Sequence, residues 1–132
     1  MIVIDIFLSY KEEDNQYVNG LRGLLQNPNN KYRHRGKIAY KNYRNKGKFV
    51  IKKYLKDEIR KCDALICIVG NDTHTSEWVL YELQVAKSFG KKIVAVRIKG
   101  TNGGRPRVLD AWKIPDTNWN ATNINNELSK LK

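Results

Sequence analysis

Three short runs of mostly apolar, β-branched residues punctuate this chain: Ile2–Leu8, Ala64–Val69 and Lys92–Ile98. Between them the apolar residues recur at helical spacing. This alternation constrains the fold more than any other property of the sequence. A run that is apolar at successive positions suits a strand buried on both faces. Such strands, joined by amphipathic helices, form a parallel sheet with helices on both sides. The polar turn Ser9–Asp14 opens a first helix whose acidic start suits the helix dipole. Val18, Leu21, Leu24 and Leu25 form its apolar stripe, and Asn27-Pro28-Asn29-Asn30 ends it. Ile51, Leu55 and Ile59 predict a second helix from about Phe49.

A third helix begins at a Thr75 or Ser76 cap with Glu77 in its first turn. It carries Val79, Leu83 and Ala86, and Gly90 stops it. Lys37–Tyr40 and Trp112–Pro115 are expected to add two short strands, with a loop at Gly100–Pro106. Ile124, Leu128 and Leu131 mark a closing helix. There is no internal repeat and no linker, so residues 1–132 are expected to form a single domain. The expected fold is α/β: a flavodoxin-like open parallel sheet of about five strands in the order 2-1-3-4-5, with helices on both faces. In that order the switch point lies between the first and third strands. Ser9-Tyr10, the loop after the second strand and Asn71-Asp72-Thr73 converge there.

Charge is distributed unevenly. The segment Lys31–Lys61 holds 13 Lys/Arg against Asp57 and Glu58, nearly all of the net +12. Tyr32, Tyr40, Tyr43 and Tyr54 interleave with it. The segment reads as a solvated basic face, or as a surface for a polyanion such as a dinucleotide diphosphate or a nucleic acid. Cys62 and Cys67 lie in or beside an apolar run and read as core thiols. With His34 and His74 the only histidines, no metal-ligand set is visible. No apolar run is long enough to span a membrane, and the apolar start lacks a basic leader. A cytoplasmic protein without a membrane partner is expected.

Three chemistries common on this architecture are unsupported. The stretch Ser9-Tyr10-Lys11-Glu12-Glu13 is bulky and acidic where a flavin phosphate loop would be small and hydroxyl-rich. The acid pair of a phospho-acceptor receiver is missing after the first strand. Neither GxxxxGK[ST] nor GxGxxG occurs. What remains is the stretch Ala64–Glu82, a strand, a polar loop and a helix with Trp78 and Glu82 four residues apart on one face. Read from spacing alone, Glu82 is either a carboxylate at a ligand crevice or a surface residue pairing with Lys87 or Arg97.

Ile6-Phe7-Leu8-Ser9-Tyr10 resembles the opening strand of TIR (Toll/interleukin-1 receptor) domains. The segment Ile68–Glu82, followed by Ala86, Gly90-Lys91-Lys92-Ile93-Val94 and Lys99-Gly100, resembles the TIR-like branch of bacterial anti-phage systems, including Thoeris. The resemblance covers essentially the whole chain and departs most over Lys31–Lys48. It implies an enzyme that consumes NAD as substrate, without a cofactor, by cleaving the nicotinamide–ribose bond. The product would be an ADP-ribose-derived signal, linear or cyclic, read by a separate effector protein. It places the catalytic carboxylate at Glu82, where it would stabilise positive charge developing on the ribose. Ser9 and Tyr10 then line the ribose or nicotinamide side, or cap the first helix. Asn71 and Thr73 carry the same two readings. Trp78 packs the helix, walls the pocket, or both, and Arg44 and Lys46, with Lys48, meet the diphosphate. The resemblance also implies a homo-oligomer that completes the site. Two other readings are a non-catalytic TIR adaptor and a nucleic-acid-binding module built on the basic segment.

Overall fold

The computed structural model describes residues 2–26, 30–35 and 47–130. Among them, five strands form one parallel sheet in the order β2-β1-β3-β4-β5. The strands are β1 (Ile2–Ser9), β2 (Asn30–Arg35), β3 (Ala64–Val69), β4 (Lys92–Arg97) and β5 (Asp116–Thr117). The described helices are α1 (Val18–Leu24), α2 (Lys48–Arg60), α3 (Glu77–Ser88), α4 (Arg107–Ala111) and α5 (Ala121–Ser129).

The sheet divides the core in two because successive side chains of a strand point to opposite faces. Ile4, Ile6 and Leu8 of β1, Ile66 and Ile68 of β3 and Val94 and Val96 of β4 pack with Val18, Leu21 and Leu25 at α1 and Ile124 and Leu128 of α5. The intervening residues Phe7, Leu65, Cys67, Val69, Ile93 and Ala95 pack with Ile51, Leu55 and Ile59 of α2, Val79, Leu83 and Ala86 of α3, and Leu109 of α4. Burial on both faces explains why β3 is apolar at all six positions. Cys62 and Cys67 are both buried free thiols in this second half of the core.

Three elements differ from the sequence expectation. The second strand of the sheet is Asn30–Arg35, while the expected strand Lys37–Tyr40 lies outside the described residues. β2 has no apolar run because it is an edge strand. It is held by side chains as well as the ladder: Arg33 grips Asp5 of β1 with two bonds of 2.8 and 2.9 Å, and Tyr32 donates to Asn125 of α5 at 2.8 Å. The last strand is Asp116–Thr117 rather than a piece of Trp112–Pro115. Those residues instead terminate α4: Lys113 adopts φ 57° and Ile114 N–H returns to the Leu109 carbonyl at 2.8 Å. The first helix opens as a 3₁₀ turn over Glu12–Tyr17 and becomes α-helical only at Val18.

Part of the described basic charge is paired locally. Arg33 pairs with Asp5, Arg60 with Asp57 and Lys61 with Glu58. No described helix is long and apolar enough to cross a membrane.

Candidate active site

β1 lies between β2 and β3, so the order of strands reverses at β1 and β3. Open α/β sheets bind ligands at the carboxyl ends of such a pair. Ser9 is the last residue of β1, in register with Cys67 of β3. Its side chain shares a face with Phe7, the face covered by α2 and α3.

Ser76 caps α3 by accepting from Val79 N–H at 3.1 Å, and Glu77 adds a negative charge to the first turn. Thr75 does not serve as the cap; its hydroxyl donates to the Asp72 carbonyl at 2.8 Å. The helix buries Val79, Leu83 and Ala86, and that stripe turns Glu82 inward. Glu82 is 0 % exposed, which rules out the surface pairing with Lys87 or Arg97. Lys87 lies over the Trp112 ring, and Arg97 binds Asp116 at 3.0 Å.

The Ser9 hydroxyl donates to Glu82 Oε1 at 2.7 Å, and Ser9 is also 0 % exposed. Residues 73 apart in sequence thus meet at the switch point. This length is normal for an O–H···O bond. A carboxylate in such a setting can stabilise an adjacent developing cation more strongly than it would in water. A carboxylate is too weak a base to make Ser9 an acyl-transfer nucleophile, and His74 is exposed and elsewhere. Among the described residues no cluster of His, Cys, Asp or Glu is arranged to hold a metal ion.

The other candidate residues take different places. Tyr10 points to the opposite face of the sheet, where its ring joins the α1–α5 half of the core and its hydroxyl donates to Asn15 at 3.1 Å. Burial, and next the negative charge of Glu82, push its phenol above the ordinary tyrosine range. Thr73 is buried in the turn after β3, accepting from Gly70 N–H at 2.8 Å and donating to the Ile68 carbonyl. Asn71 is exposed and accepts from Asn102 N–H at 2.8 Å. Trp78 is half-buried, edge-on to Tyr81 with ring centres 6.3 Å apart. It walls a groove of about 190 Å³ between α2 and α3, with Lys48, Lys52 and Tyr81. Arg44 and Lys46 lie outside the described residues.

Two features of this end of the sheet were not singled out from sequence. Gly104, at φ 67°, lies so close to the Gly70 and Asn71 carbonyls that a β-carbon would overlap them. Its own carbonyl accepts from His74 N–H at 2.8 Å. The loop after β4 is thereby strapped across the loop after β3. The Gly103-Gly104 pair was its sequence signal, since adjacent glycines often mark a close backbone approach. The second feature is Asp14, packed against Gly70, where an added β-carbon would lie 2.5 Å from Asp14 Oδ2. Burial, and next Glu13, raise its carboxyl above the usual range.

Comparison with known proteins bears on the fold and the family. In fold the chain is similar to the Clostridium botulinum CMP N-glycosidase BcmB, with TM-score 0.58 and 17 % identity, covering 95 % of this chain and 98 % of that one. No curated protein matches it in sequence. The family model described as "Thoeris protein ThsB, TIR-like domain" matches residues 7–103, which include both Ser9 and Glu82. The chain therefore belongs to the TIR-like domain family of the Thoeris protein ThsB.

Proposed function

We propose that this protein cleaves an N-glycosidic bond, that between nicotinamide and ribose in NAD, and releases an ADP-ribose-derived signal for anti-phage immunity. The observation that carries this reading is the fully buried Glu82 carboxylate, held by Ser9 at the switch point of the sheet. Membership of the Thoeris family supports the immune role. A fold shared with a CMP N-glycosidase supports the class of bond.

Nicotinamide in NAD carries a positive charge and leaves as a neutral molecule. It needs no proton, so a second carboxylic acid is not required. As the bond lengthens, positive charge moves onto the ribose. A fixed carboxylate beside the ribose lowers the energy of that state more than the ground state, which is what accelerates the step. Water or an oxygen or nitrogen nucleophile of the ADP-ribose itself then captures the sugar, giving linear or cyclic product. Lys48 and Lys52 of α2, which line a groove with Trp78 and Glu77, would attract the diphosphate. The product would act through a separate effector protein.

The test is incubation of the protein with NAD, wild type beside Glu82→Gln, with products identified by mass spectrometry. Glu82→Gln keeps shape and removes charge, and should lower the rate by at least about 10²-fold. Wild-type protein that leaves NAD intact, even when concentrated or mixed with phage-infected lysate, refutes the catalytic reading. Defence that survives Glu82→Gln in cells would instead indicate an adaptor.

A further inference from the structure

Ser9 sits where β1 ends. Its neighbours Phe7, Leu8 and Tyr10 are all buried, and its backbone is in register with Cys67 in the parallel ladder. The position has little freedom, because moving it would disturb both halves of the core. A serine has one O–H to give, and this one goes to Glu82 Oε1 at 2.7 Å. Its proton is therefore committed to another side chain. Both residues are 0 % exposed, so water does not compete for that bond.

A glutamate has three side-chain torsions, and the last is broad and only weakly defined by sterics. The bond from Ser9 removes that freedom. It also favours the ionised carboxylate, because a hydrogen bond donated to a charged oxygen stabilises the charged form. Both effects bear on a reaction in which a negative charge must already be in place when the ribose becomes cationic.

We infer that Ser9 is a positioning residue for Glu82: its hydroxyl fixes the carboxylate's orientation and acts on the substrate only through Glu82. The inference rests on the catalytic reading of Glu82 and gives Ser9 a role in alignment, beside the two the resemblance implied, substrate contact or capping of the first helix.

The experiment compares wild type, Ser9→Ala, Ser9→Thr and Ser9→Cys. With NAD as substrate, Ser9→Ala should lower kcat about 10- to 100-fold while KM stays within about twofold, since uniform substrate binding is untouched. The acid limb of the pH–rate profile should move to higher pH. Ser9→Thr retains a hydroxyl and should restore most of kcat. Ser9→Cys, a weak donor of similar size, should fall between, and it decides the question if Ser9→Ala does not fold. An unchanged kcat in folded Ser9→Ala, or a raised KM at unchanged kcat, overturns the inference while leaving the catalytic role of Glu82 standing. If wild type releases no nicotinamide, the catalytic reading fails and a second measurement decides the positioning. The carboxyl ¹³C resonance of Glu82, assigned by its loss in Glu82→Gln, should titrate at higher pH in Ser9→Ala than in wild type. Identical titration in the two proteins overturns it.

Discussion

Gly103 and Gly104 are adjacent, both at positive φ, and separate two costs that usually occur together. Gly103 has φ 72° and open space where a β-carbon would go; Gly104 has φ 67° and the carbonyls of Gly70 and Asn71 there. Gly103→Ala should lose only the conformational term, about 1–2 kcal/mol. Gly104→Ala should lose the same and also force the strap off the β3–α3 loop. That disrupts the His74 N–H to Gly104 bond and the Asn102 N–H to Asn71 bond, each 2.8 Å long. At about 1 kcal/mol per bond the total is roughly 3–4 kcal/mol. At about 4 °C per kcal/mol for a domain of this size, the melting temperature should fall by about 12–16 °C for Gly104→Ala and about 4–8 °C for Gly103→Ala. Urea titration followed by far-ultraviolet circular dichroism measures both, with unchanged slope confirming the same transition. Losses equal to within about 0.5 kcal/mol would mean that the strap yields freely and that the overlap at Gly104 has no energetic weight.

Asp14 should oppose folding at neutral pH. Its carboxyl is raised by burial first and Glu13 next, and among the described residues its Oδ2 accepts no hydrogen bond. A raised folded value means that its contribution is fully favourable below the unfolded value and is lost as pH rises through the folded one. Asp14→Asn should therefore melt higher than wild type at pH 7 and equally below about pH 4; calorimetry at the two pH values checks it. Asp116 joins Arg97, at 3.0 Å, to Arg105, at 2.5 Å, and Arg105 also donates to the Ile114 carbonyl. Asp116→Ala should cost about 2 kcal/mol in urea unfolding, more than Asp110→Ala, whose carboxylate is largely exposed and, among the described residues, binds Arg105.

Strands β1, β3 and β4 were legible in the sequence because burial on both faces leaves an uninterrupted apolar run. β2 was not read at Asn30–Arg35 because an edge strand needs no such run. Its ladder is supported by Arg33 on Asp5, a pair separated by 28 residues that no local pattern reveals. β5 was shifted because two residues carry no period, and the five-residue α4 before it was too short to read. At the site, Ser9 and Glu82 were each visible as candidates, but the bond between them depends on strand order. Tyr10 follows Ser9 directly, so strand alternation alone implied opposite faces for the two. Asp14 and Gly104 matter through backbone proximity, which leaves no residue pattern beyond glycine itself.

The sheet that splits the core also distributes the tryptophans. Trp119 packs on the α1–α5 half, edge-on to Tyr17, while Trp78 and Trp112 pack on the half that covers Glu82. Each face therefore holds its own fluorophore. Single-tryptophan variants would report separately on the layer that supports the sheet and on the layer that holds the carboxylate. Ligand entry near Glu82 should disturb the emission of Trp78 and leave that of Trp119 unchanged. The protein thus carries an optical means of telling a local event at the site from a loosening of the whole fold.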